Sequence, residues 1–391
     1  MVELMRRLAT VAITLALVLA AVLPAVAQSA IDFGEPQASG AFGETISFQT
    51  SFHSETEPQR VELLTVRPGD DGQRVDTASV ERTGPDTWRA AVFKGGHVVP
   101  NTTYQYRFRV ISDDGAVLGP VSTHRVIDER LEWQRLDGDD VTVWWHRGDQ
   151  GFAERALEIA EAAMSAAAEL LGVEDIDPID FFIYSDSKEF RAAMGPGTRE
   201  NVGGQAHPQI RTLFGLIEPR QVRSGWVEEL VTHELAHLVF DEAVRNPYGY
   251  PPRWLNEGLA VYLAKGYDSG DRAQVEGAAG SGTIIPLEGL GGQFPTRPGR
   301  FGLAYAESVS AIDYLVETHG EERLVELITS FAQGTSLDEA FIAATGEDFT
   351  AFDDAWLASL GADRPEPYGP RPGEPGPVPD AWASPAAALL G

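Results

Sequence analysis

The sequence predicts a multidomain chain: an N-terminal all-β sandwich, then an α+β domain whose C-terminal half is mostly helical. Two observations carry that prediction. Short alternating apolar runs, separated by Gly, Pro, Asp and Asn, fill residues 31–128. After Arg130, strand-like runs come first and helix-period runs second, the order expected of an α+β domain. The length of 391 residues suits two or three such units.

Taken in order, the chain begins with a targeting pattern. Arg6 and Arg7 precede a run without charged side chains over 8–27, which ends in the small-x-small site Ala25-Val26-Ala27. A basic start, an apolar stretch and that ending predict a signal peptide over 1–27 and export from the cell. A retained membrane anchor is the alternative, because about 20 apolar residues can span a bilayer. The sandwich is assigned to 28–128, with strand runs at 45–52, 61–66, 87–92 and 103–110 and a turn at Ser112-Asp113-Asp114-Gly115. The stretch 100–110, Pro-Asn-Thr-Thr-Tyr-Gln-Tyr-Arg-Phe-Arg-Val, resembles the late strand of a fibronectin type III domain.

The second domain is assigned to 129–362. Strands are expected at 141–146 and 179–184, with an alanine-rich helix over 152–171 between them that stops at Gly172. A further strand is expected at 210–216. Helices follow at 226–240, 253–265, 303–318 and 321–331. Ser336 with Glu339 forms a capping box that opens another helix, and 348–360 is the last. A proline-rich tail is assigned to 363–391; from Pro365 to Pro379, seven of fifteen residues are proline, an extended composition.

Composition narrows the chemistry. Asp and Glu number 59 against 30 Lys and Arg, a net charge of −29, which argues against any nucleic-acid partner. Cysteine is absent, so disulfides, thiolate zinc sites and thiol catalysis are excluded. Any metal must sit on His, Asp or Glu.

One motif meets that condition. His233-Glu234-Leu235-Ala236-His237 is an HExxH sequence inside a helical pattern. Residues four apart share a helical face, so both imidazoles can reach one ion, and Glu234 can meet a water in its open position as general base. Catalytic zinc takes three protein ligands, so one Zn²⁺ needs a third. Glu257, twenty positions after His237 on the next expected helix, supplies it within Trp254-Leu255-Asn256-Glu257-Gly258-Leu259-Ala260.

With these residues in place, the chain resembles the gluzincin zinc metallopeptidases, and most of all the peptidase-MA-like group. The spacing is that of thermolysin-type enzymes, while the Trp-Leu-Asn-Glu-Gly-Leu-Ala stretch is similar to the aminopeptidase N third-ligand motif. Gly203-Gly204-Gln205-Ala206 ahead of the zinc helix and Tyr305-Ala306-Glu307-Ser308 after it match the group's order. The resemblance implies hydrolysis of a peptide or protein substrate. It also implies that a tyrosine steadies the oxyanion, with Tyr305 the first choice and Tyr248 the alternative. Either 203–206 or 210–216 is the expected sheet edge for an extended substrate.

The chain departs from the thermolysin pattern at Val261, where those enzymes carry an Asp that orients a ligand histidine; Glu229 is the candidate substitute. The aminopeptidase Gly-x-Met-x-Asn stretch is missing, which favours an endopeptidase. His53, His97, His124, His146, His207 and His319 are scattered. The competing reading is an extracellular binding or adhesion protein with a structural or inactive zinc site. Oligomeric state is not encoded in any of these features.

Overall fold

The computed structural model describes residues 31–70, 72–195 and 203–365. The predicted signal segment, and the proline-rich tail beyond residue 365, lie outside them. Two compact units emerge. One runs to Trp133 and includes the stretch starting at Asp186; the other holds Gln134–Ser185 and the chain from Gly203 onward.

Among the described residues, the first unit contains ten strands: β1 (Asp32–Phe33), β2 (Gln37–Ser39), β3 (Ile46–His53), β4 (Arg60–Val66), β5 (Arg74–Thr77), β6 (Ser79–Arg82), β7 (Thr87–Lys94), β8 (Thr103–Ser112), β9 (Gly115–Leu118) and β10 (Ser122–Arg125). They form two antiparallel sheets. One has the order β1-β3-β7-β6 with β2 beside β3; the other has β10-β8-β4-β5 with β9 beside β8. Side chains alternate along a strand, so β8 turns Tyr104, Tyr106, Phe108 and Val110 inward, and β7 turns Trp88, Ala90 and Val92 inward. The sheets meet where Phe48 of β3 sets its ring 5.5 Å from Tyr104 and 4.9 Å from Tyr106.

The second unit starts with β11 (Gln134–Asp137), β12 (Val141–Trp145), α1 (Gln150–Leu171) and β13 (Ile179–Tyr184). Asp149 caps α1 by accepting from the Phe152 N–H, and Gly172 ends it at φ 65°, a backbone that favours glycine. Helix α2 (Ser187–Met194) belongs to the first unit. Then come β14 (Gly204–His207) and β15 (Thr212–Leu216), which complete a sheet of order β11-β12-β13-β15-β14. β12, β13 and β15 run parallel, and the outer strands β11 and β14 pair antiparallel. β15 is therefore interior. Of the two stretches expected as a sheet edge, only 203–206 reaches one; 210–216 is hydrogen-bonded on both sides.

Seven helices follow among the described residues: α3 (Gly225–Ala243), α4 (Arg253–Lys265), α5 (Ser269–Ser281), α6 (Pro298–His319), α7 (Glu321–Ser330), α8 (Leu337–Thr345) and α9 (Phe349–Ser359). Two differ from the sequence expectation. α5 is rich in Gly, Ala and Ser and buries only Asp271, Val275 and Ala278, so its apolar period is faint. α6 begins five residues before the expected 303, because Pro298 suits the first helical turn.

α3 lies between two cores. Val227, Val231, Leu235 and Leu238 join the core of the sheet and α1, while Val239 and Phe240 join the core of the later helices. Burial on both flanks leaves one side of α3 for polar side chains. α4 and α6 approach backbone to backbone at Gly258, where a Cβ would stand 2.5 Å from the Ser308 carbonyl oxygen. That contact sets Glu257 and Tyr305 on neighbouring turns. No helix among the described residues is long and apolar enough to cross a membrane.

The helical core also holds an acid. Glu307 is fully buried; its Oε1 accepts from the Ile285 N–H at 2.9 Å and its Oε2 has no partner. Burial pushes this carboxyl up to about 8, helped by the nearby Asp353 charge and opposed by the Ile285 N–H and Arg300. The unfolded carboxyl has an ordinary value near 4.5, so the folded state holds the proton more tightly between the two. That stability is fully present below about 4.5 and is lost as pH rises through about 8. The full effect is on the order of a few kcal/mol. Glu307→Gln is expected to remove it, so wild-type Tm should fall by several degrees relative to the variant between pH 5.5 and 8.5. Parallel Tm curves would show that Glu307 does not titrate this way.

Candidate metal centre

α3 presents His233 and His237 one turn apart, with ring centroids 4.8 Å apart and planes at 88°. Their Nε2 atoms are 3.2 Å apart. Glu257, from the adjacent α4, places Oε2 3.5 Å from each of them. These three atoms form a nearly equilateral triangle, and Glu257 Oε2 is buried with no hydrogen bond of its own. Three lone-pair donors converging in this way leave an electrostatic demand for a cation. Bonds of about 2.0–2.1 Å to a tetrahedral ion would set its ligands about 3.3–3.4 Å apart, so the donor set fits zinc.

The protonation balance has the same sign. Burial would lower the His237 imidazole, but the adjacent Glu257 carboxylate overcomes it and pushes it up to about 9. Burial likewise opposes ionisation of Glu257, yet His233 and His237 hold its carboxyl well below the usual carboxylate range. The pocket favours positive charge, and a proton on His237 occupies the role an ion would take.

His237 is oriented from behind. Its Nδ1 lies 2.8 Å from Asn256 Oδ1, so Nδ1–H donates and Nε2 is the nitrogen turned to the site, where a proton or an ion can take its lone pair. Asn256 Nδ2 in turn donates to the Tyr250 hydroxyl at 3.2 Å. The acceptor sought in place of an Asp at Val261 is therefore Asn256, the residue before the ligand, while Glu229 is exposed on α3.

Glu234 points across to the sheet. Its Oε2 accepts from the Ala206 N–H on β14 at 2.9 Å. Gly204 lies on the same strand, and a Cβ there would come within 2.8 Å of Glu234 Cγ, so the close approach needs glycine. Tyr305 reaches the centre from α6 with its ring 6.1 Å from His233, held between Phe294 and Phe301 at 5.3 and 5.0 Å. Burial and the charge of Glu257 lift its phenol above the ordinary range, so it stays a donor. Tyr248 is 83% exposed and lies against Gly334 instead. His207 packs edge-on to Phe214 and is not in the ligand triangle.

Residues 159–362 match the Peptidase MA superfamily, a span that contains the whole triangle together with Glu234 and Tyr305. The chain belongs to the Peptidase MA superfamily. Among similar proteins, an uncharacterised Bacillus subtilis protein, YhcO, is 21% identical over 224 residues, covering 54% of this chain and 66% of that one. The chain thus spans just under two thirds of that relative. A solved aminopeptidase N family protein from Idiomarina loihiensis is similar at 11% identity and TM-score 0.44, over 83% of this chain and 75% of the other. That likeness is too distant to carry an argument. Within this Peptidase MA chain, Arg253, Tyr250 and Asn256 are the polar neighbours that motif reading passed over. Arg253 had a visible signal, since it stands four residues before Glu257 on one helix.

Proposed function

We propose that this chain is a zinc-dependent metallopeptidase of the gluzincin type, exported from the cell, that cleaves internal bonds of peptides or proteins. The observation that carries the reading is the triangle of His233, His237 and Glu257, with Glu234 of the same helix beside it, hydrogen-bonded to the outermost strand of the sheet. A zinc ion bound there supplies Lewis-acid polarisation and lowers the pKa of a water from about 15.7 to about 7. The chain's own residues do the rest. Glu234 takes the proton of the attacking water and returns it to the leaving nitrogen. Tyr305, still protonated, donates its hydroxyl to the developing oxyanion. β14 offers an extended peptide a strand to pair with, which places the scissile bond beside the base.

A purely structural zinc would be closed by four protein ligands. The metal-ligating group found among the described residues has three, which favours the catalytic reading over that of an adhesion protein. In the N-terminal unit, β1, β3, β7 and β6 share one sheet while β4, β8 and β10 share the other. That division supports an immunoglobulin-like or fibronectin type III module. The apolar run 8–27 and the Ala25-Val26-Ala27 site support cleavage after Ala27 and a place outside the cell.

Mass-spectrometric mapping of cuts in casein, with and without chelator, tests the activity. New internal cuts are expected, abolished by chelation and restored by zinc. A digest without chelator-sensitive cuts would overturn the reading and leave the binding-protein alternative standing.

A further inference from the structure

Arg253 opens α4 one turn before Glu257, and its side chain lies along the same helical face. Its Nε and Nη2 both donate to Glu257 Oε1, at 3.0 and 2.8 Å. The other oxygen, Oε2, faces His233 and His237 and has no partner of its own. The guanidinium is held flat by Phe294, with its central carbon 4.7 Å from the ring centroid. The Tyr305 hydroxyl from α6 lies near enough to interact electrostatically with the same guanidinium. One side chain therefore holds the third donor and neighbours the tyrosine that flanks the centre.

We propose that Arg253 is the positioning residue of this centre, occupying Oε1 of Glu257 so that the carboxylate meets a metal ion through Oε2 alone. The inference rests on the metallopeptidase reading and deepens it. A carboxylate bound through both oxygens would take up a coordination position. Limited to one oxygen, Glu257 completes a three-ligand set and leaves the fourth position open, as a catalytic site requires. Partners of ligating carboxylates are part of a metal site, and their loss costs about 10–100-fold in affinity. A simple helix-surface ion pair four residues apart would instead add little stability and leave metal affinity unchanged.

The test uses the full chain and compares wild type with Arg253→Met and Arg253→Lys. Zinc affinity is read by competition with a chromophoric chelator, and coordination by the visible absorption of the cobalt-loaded proteins. Arg253→Met is expected to bind zinc about 10–100-fold more weakly. Its cobalt bands should dim as the released Oε1 joins the ion and raises the coordination number. Arg253→Lys should recover part of the affinity, because an ammonium makes one contact where the guanidinium makes two. Wild-type affinity together with a wild-type cobalt spectrum in the Met variant would overturn the proposal while the metal reading stands. A wild-type chain that takes up no zinc would overturn the metal reading and this inference with it. Should the Met variant fail to fold, the Lys variant decides: several-fold weaker zinc binding supports the role, and unchanged binding and spectrum overturn it.

Discussion

Glu234→Gln is expected to retain a full equivalent of zinc and to lose about 10²–10⁴-fold in kcat, the range that a positioned acid–base group contributes. The substitution preserves shape. Gln keeps an oxygen that can accept from the Ala206 N–H, the bond that ties Glu234 to β14, so the local packing should survive. What it loses is the ability to take a proton. Since Glu234 is not in the ligand triangle, metal content should not change. Casein or peptide turnover at the wild-type rate, with the metal in place, would remove Glu234 from the chemistry.

His237→Ala has a different expected result: zinc and activity are lost together. Structural zinc sites are worth about 10–16 kcal/mol over four ligands, so one of three donors here carries on the order of 3 kcal/mol, about a hundredfold in affinity. The change also leaves Asn256 Oδ1 without its imidazole donor and Glu257 Oε2 without one of the two nitrogens it faces. Metal analysis after dialysis, alongside turnover, checks it. A full equivalent of zinc in the variant would show that His237 is not a ligand. The two variants divide the site cleanly, because one removes proton transfer with the metal kept and the other removes the metal.

Part of this site is legible in the linear sequence for a local reason. Four-residue spacing on a helix fixes which side chains share a face, so His233 and His237 can be paired without knowledge of the rest of the chain. Glu257 is legible at one remove, since the expected 241–251 connection is long enough to let the next helix fold back alongside. Asn256 stands in the same motif, but nothing in its position says that its side chain turns towards His237. Arg253 is an ordinary i,i+4 partner in sequence; that it touches one oxygen of a buried ligand depends on how α4 packs against Phe294 and α6. The resemblance ranks Tyr305 ahead of Tyr248, and burial separates them in the same order.

The strands show the same division. The alternation of the N-terminal runs and the apolar runs of β12 and β13 mark strands wherever they pair. Which stretch becomes the edge beside Glu234 is a question of long-range order, and 210–216 lost that place because β14 hydrogen-bonds along it. α5 was illegible because its small residues bury too little to impose a period.

By itself, then, the sequence determined which atoms can bind: no sulfur, two imidazoles on one helical face and a carboxylate on the following helix, in a chain with a charge of −29. Tertiary structure alone decided which oxygen of Glu257 is left for an ion, which residue orients His237, which strand borders Glu234 and which tyrosine reaches the centre. Residue types and helical spacing are local properties. The use of a single lone pair depends on packing between elements far apart in the chain.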